Sequence, residues 1–198
     1  MIQEHRIAVG FLAFVLALAA GCGADESPQV PPEPAKPVIA PEIQAVVQAS
    51  LGSEGEVALQ GDLAQNGAEE LFLIDRVQKT LHGVPPGLYV TRAVVLQKAG
   101  EKWTEVFRCD THLKNGSGFL GGTPILPVNG WRLQYDQDPK HGLEMFFAPI
   151  QLEGATRPPT IGVRWNPAVK RYQSLDRNFE QFLSELPSLE VPESKLVR

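Results

Sequence analysis

The stretch LYVTRAVVLQKAGEKWTEVFRC, residues 88–109, decides the fold. It holds two strand-like runs, Leu88 to Gln97 and Trp103 to Cys109, joined by the short link Ala99-Gly100-Glu101-Lys102. Two such runs around a glycine-bearing link predict an antiparallel hairpin. The same pattern continues on both sides. Val57 to Gln60, Glu70 to Ile74, Trp131 to Tyr135, Leu143 to Ile150 and Thr160 to Trp165 read as strands, and Asn166-Pro167-Ala168-Val169 links the last to a run ending at Tyr172. Asn-Gly occurs at Asn66-Gly67, Asn115-Gly116 and Asn129-Gly130, and that dipeptide tolerates the positive φ angles of tight hairpins. The expected class is therefore mainly β (α+β), an antiparallel sheet of hairpins. Two helices are expected beside it. Glu42 to Ser50 carries Ile43, Val46 and Val47 on one face, and Asp176 to Leu186 repeats Phe179, Phe182, Leu183 and Leu186 at helical spacing, with Ser174 or Asp176 as cap and Pro187 as stop.

Two related β units are visible inside this pattern. Leu59-Gln60-Gly61-Asp62 leads through Asn66-Gly67 to Glu69-Glu70-Leu71-Phe72, and Leu133-Gln134-Tyr135-Asp136 leads through His141-Gly142 to Glu144-Met145-Phe146-Phe147. The first unit resembles the calcium loop of integrin-type FG-GAP repeats, with Asp62 at position one, Asn66 at five, Gly67 at six and Glu70 at nine. In such loops alternating oxygen side chains surround a hard cation. Here Ala64 at position three offers no oxygen, and in the second unit Asp138 restores that position while Lys140 falls at five. Both turns are accordingly read as hairpins, with no metal and no cofactor expected. Two units are too few for a complete propeller.

The N-terminus has a different character. Arg6 closes a short polar head, Ile7 to Ala20 is almost purely apolar, and Ala19-Ala20-Gly21 places small side chains before Cys22. That is too short for a stable membrane span and has the parts of a secretory signal. The segment resembles a bacterial lipoprotein signal whose lipobox ends at Cys22. The resemblance implies that residues 1–21 are removed by signal peptidase II, that the Cys22 thiol carries a diacylglyceryl group, and that the mature chain is held to a membrane by its lipid. Gly23 stands where an aspartate favours inner-membrane retention in enteric bacteria, so the implied location is the outer membrane, facing the periplasm. Two or three acyl chains hold a protein almost permanently.

Residues 22–41 follow as a proline-rich tether. Pro28, Pro31, Pro32, Pro34, Pro37 and Pro41 alternate with Asp25, Glu26, Glu33 and Lys36 and with few large apolar groups. Such a segment buries too little surface to offset its ordering entropy, and at polyproline pitch it reaches at most about 60 Å. Residues 42–198 then make one β-rich domain, long enough for a real core. The whole chain has 18 Lys and Arg against 23 Asp and Glu, a formal net charge of −5, and no block of either sign. No basic stripe for nucleic acid is present, which leaves envelope proteins, glycans or small molecules as partners.

Catalytic patterns are sparse. Cys109 is read as a small buried hydrophobe, because in a strand Cys109 and His112 point to opposite faces. Gly116-Ser117-Gly118-Phe119-Leu120-Gly121 matches the GxGxxG string of dinucleotide sites, but Gly122-Thr123-Pro124-Ile125-Leu126-Pro127 follows where a helix N-terminus is required. This segment is instead read as a mobile glycine-rich loop in which Phe119 and Leu120 line a binding surface. The mature chain's histidines, His82, His112 and His141, show no helical metal spacing. The expected role is a non-catalytic, lipid-anchored binding or assembly module. The rival is an envelope hydrolase or a small-molecule or glycan binder with a site assembled from distant side chains such as His112, His141 and Asp136.

Overall fold

The computed structural model describes residues 39–79, 81–150 and 159–187. The segment read as an export signal, Cys22 and the part of the expected tether before Ile39 lie outside the described residues, as does the stretch from residue 188 on. The described residues belong to one compact unit. Among the described residues, no helix is long and apolar enough to cross a membrane.

Among the described residues a single helix, α1 (Pro41–Leu51), precedes the strands. The last residue assigned to the tether, Pro41, opens this helix, where its missing N–H costs nothing. Gly52, at φ 86°, ends it and donates its N–H to the Gln48 carbonyl. The buried face of α1 is Ile43, Val47 and Leu51, close to the stripe expected from the sequence.

Among the described residues ten strands make a curled antiparallel sheet. They are β1 (Gly55–Gly61), β2 (Glu70–Arg76), β3 (Leu88–Ala99), β4 (Lys102–Cys109), β5 (Leu113–Asn115), β6 (Gly118–Phe119), β7 (Trp131–Asp138), β8 (Gly142–Pro149), β9 (Ile161–Asn166) and β10 (Arg171–Ser174). The hairpin read at residues 88–109 is the centre of the sheet. One edge of β3 pairs with β2 from Val90 to Gln97. The other edge is shared, with Leu88–Val90 taking β7 and Ala93–Ala99 taking β4. From this fork one branch runs β7-β8-β9-β10 and the other β4-β5-β6. At the fork the fully buried Trp131 donates its indole N–H to the Asp110 carbonyl at 2.6 Å.

The branches curl together over the main core. Tyr172 on β10 packs on Phe107 of β4 with ring centres 6.1 Å apart, and Asn115 beyond β4 donates to the Tyr172 carbonyl. Phe72, Ile74, Val95, Phe107, Trp131 and Phe147 lie in this core. The alternate residues Leu71, Leu73, Val94 and Leu96 face outward, where α1 covers them. Strand β2 is thus buried on both faces, which explains why Glu70 to Ile74 is nearly all apolar rather than alternating.

The expected C-terminal helix does not form. Residues 174–187 run as a strap, with Leu175 bridged to Phe182 and Phe119 bridged to Leu186. The Asp176 carboxylate accepts the amides of Glu180 and Gln181, and Phe179 takes a left-handed φ of 62°, which breaks a helix. The apolar spacing serves separate contacts instead. Phe179 packs edge-on against Phe146 and over Gly162, where a Cβ would come within 2.6 Å of its ring, while Phe182 lies beside Arg164. Tertiary contacts of a strap thus override a local helical period.

Candidate functional site

The two sequence-related turns meet in space. In the first, the Asp62 carboxylate accepts the amides of Asn66 and Gly67 at 2.9 and 3.0 Å, and the Asn66 side chain accepts from Ala68. In the second, Asp138 accepts the amides of Lys140 and His141, both at 2.8 Å. Those bonds hold the Asp138 carboxyl below the usual carboxylate range. Asp138, rather than the aligned Asp136, therefore holds the second turn, while Asp136 only accepts its neighbour Gln137. The turns dock through Leu143 N–H to the Leu63 carbonyl at 2.7 Å, Gln137 to the same carbonyl, and Gln65 to the carbonyls of Asp138 and Pro139. Gly142 lies so close to Leu63 that a Cβ there would sit 2.2 Å from its carbonyl oxygen.

This geometry assigns the calcium-loop candidates other work. Asp62 and Asn66 hold the turn through backbone amides, and Glu70 turns into the core. Among the described residues, no group of three or more His, Cys, Asp or Glu side chains is arranged to hold a metal ion.

Glu70 is fully buried and accepts from the Tyr172 hydroxyl at 3.0 Å and from the Gln97 side-chain amide at 3.1 Å. Burial disfavours its charged form and pushes its pKa up to about 7, despite the bonds from Tyr172, Gln97 and the Ala64 amide that oppose the shift. Burial and the facing carboxylate push the Tyr172 hydroxyl well above its usual range.

Above this network a cleft of about 660 Å³ opens. The first turn supplies Gln65 and Asn66, the second Lys140 and His141, and the β9–β10 turn Pro167 and Lys170. Gln97, Arg164, Trp165 and Phe182 complete it. None of the described residues lining it is acidic. Arg164 bonds Glu144 at 3.2 Å and lies 5.1 Å from the centre of the Phe182 ring. Lys140 and Lys170 pair with no carboxylate among the described residues. A second, smaller groove of about 330 Å³ is apolar, lined by His112, Phe119, Pro124 and Ile125 and by Leu186 and Pro187 of the strap.

No protein-family model, curated protein or solved structure matches this chain. Its chemistry is therefore read from its own residues.

The rival constellation does not converge. His112 hydrogen-bonds Thr111 and the Ile125 carbonyl in the apolar groove. His141 lies in the cleft, between Asp138 and Glu144. Cys109 is buried in the core, where desolvation pushes its thiol well above the usual range, so it is not a ready nucleophile.

The glycine-rich segment is only partly a loop. Gly116-Ser117 is a turn and Gly118–Phe119 is the short strand β6, where Phe119 exchanges both backbone bonds with Leu186, and Leu120 donates to the Leu113 carbonyl. Leu120 is fully buried in the main core, and only Phe119 reaches the groove. Gly121 answers to packing, since a Cβ there would come 2.6 Å from the Ser184 carbonyl oxygen of the strap.

The cleft cations Lys140, Arg164 and Lys170 were not singled out by sequence reasoning as a group. One signal pointed to Lys140 alone, which occupies a loop position where a cation-binding turn carries an oxygen.

Proposed function

We propose that this chain is a lipid-anchored binding protein of the bacterial envelope, tethered through Cys22, whose ligand enters the cleft between the two docked turns and the β9–β10 turn. The observation that carries this reading is the cleft itself. Three separate hairpin turns contribute to it, its volume of about 660 Å³ suits a small-molecule or glycan site, and polar side chains line it beside Phe182. The anchor rests on the apolar run Ile7 to Ala20 and the small residues before Cys22. A binding role rather than a hydrolytic one is supported by the separation of His112 from His141 and by the inaccessibility of Cys109.

Two measurements test it. Cell fractionation with labelled palmitate should find the wild-type chain acylated and in the membrane fraction, and Cys22→Ala unlabelled and released; membrane retention of Cys22→Ala rejects the anchor. A photo-cross-linking residue at Gln65 in intact cells should capture a ligand that the same residue at Ile125, in the apolar groove, does not. Capture only from Ile125 would move the binding function to that groove.

A further inference from the structure

We propose that the cleft binds an acidic sugar, a saccharide ring carrying a carboxylate or phosphate group. This rests on the cleft being the ligand site and adds the ligand's chemical class.

Charge is the first argument. The chain carries a formal net charge of −5, yet Lys140, Arg164 and Lys170 all face one cleft that no acidic residue lines among the described ones. Lys140 and Lys170 come from different hairpin turns, so their convergence is a product of the fold rather than of a basic run. Arg164 is partly neutralised by Glu144, and Asp138 feels the charge of Lys140 within the second turn, but neither lysine forms an ion pair with a carboxylate among the described residues. Unpaired cations sharing a cleft repel each other, and an anion between them removes that repulsion and adds charge-assisted hydrogen bonds.

The uncharged lining is the second argument, because a bare anion would leave most of the space unused. Gln97 donates its amide to Glu70, and Gln65 donates its own to the second turn, which leaves their side-chain oxygens as acceptors. The Asn66 oxygen is held by Ala68, which leaves its NH2 group as a donor. Fixed acceptors and a donor beside the half-buried Phe182 ring match hydroxyls around an apolar ring face. Glucuronate-like and sugar-phosphate ligands share this chemistry.

Calorimetric titration of the full chain in detergent micelles tests the assignment. The probes are glucuronate, galacturonate, N-acetylmuramate and glucose 6-phosphate, with N-acetylglucosamine as the neutral ring and inorganic phosphate as the bare anion. The expected result is that an acidic sugar binds more tightly than both controls. Its affinity should fall by about tenfold or more in the double variant Lys140→Met, Lys170→Met, be unchanged in Lys102→Met, and weaken as salt rises. Because these lysines are exposed, all variants should unfold at the wild-type temperature. Equal binding of N-acetylglucosamine, unaffected by the double variant, overturns the acidic class while leaving the cleft as the site. Phosphate binding as tightly as every acidic sugar overturns the sugar. No binding of any acidic sugar overturns the inference, and the Gln65 cross-link then judges the cleft reading separately.

Discussion

The Tyr172 hydroxyl donates to the Glu70 carboxylate at 3.0 Å across 102 residues of sequence. This bond joins the last strand, β10, to β2 and closes the curl of the sheet beneath the cleft. It also places a carboxyl group where water cannot solvate its charge, and Gln97 links that carboxyl to the cleft lining.

Stability should therefore fall as pH rises through neutrality. Folding raises the Glu70 pKa from 4.5 to about 7, so the native state holds the proton more tightly than the unfolded chain. That contribution is complete below the unfolded value and is lost as pH rises through about 7, to a total of about 3 kcal/mol. Glu70→Gln keeps the shape and cannot ionise. Urea unfolding at about pH 5 and pH 8 should show a smaller loss for Glu70→Gln than for wild type. Identical pH dependence would mean that Glu70 does not titrate in this range.

Replacing Gly142 by Ala should separate the two turns. Gly142 has φ 74° and faces the Leu63 carbonyl, so the variant meets both backbone strain and a clash. Gly67, at φ 83° with open space around its Cβ position, provides the strain alone. We expect Gly67→Ala to cost about 1–3 kcal/mol and Gly142→Ala distinctly more. Equal losses in chemical denaturation would show that the close approach of the turns contributes nothing.

Glu185 holds the C-terminal strap. Burial by itself would raise its pKa, but Asn115, Arg171 and Gln173 all donate to it and keep its carboxyl below the usual range. Glu185→Ala removes the acceptor these three donors share and should cost about 1–3 kcal/mol. Hydrogen exchange should accelerate at the Phe119 and Leu186 amides, which the strap pairs. Unchanged protection at both would detach the strap from Glu185.

The Cys109 thiol should be silent in the folded protein. It is fully buried in the main core and its thiolate is disfavoured by desolvation. In the Cys22→Ala protein a thiol reagent should therefore react only as fast as the chain opens, and denaturant should accelerate labelling steeply. Rapid reaction in native buffer would contradict this burial.

Local chemistry alone determined much of this protein. The hairpin at residues 88–109 forms where it was read, because its runs favour strands and Gly100, at φ 64°, makes the turn between them. The turns at Asn66-Gly67, Asn115-Gly116 and Asn166 to Lys170 likewise join paired strands, since their bends depend on neighbouring residues. The apolar stripe of α1 and the burial of Cys109 were legible for the same reason. The C-terminal helix was misread because Phe179 and Phe182 answer to Gly162, Phe146 and Arg164, and periodicity carries no record of such partners. The fork of β3, the burial of Glu70 and the meeting of Lys140 with Lys170 were decided only by the tertiary structure. Each depends on which strands and turns lie side by side after the sheet curls, and long-range pairing, unlike a turn or an apolar period, leaves no local signature in the chain.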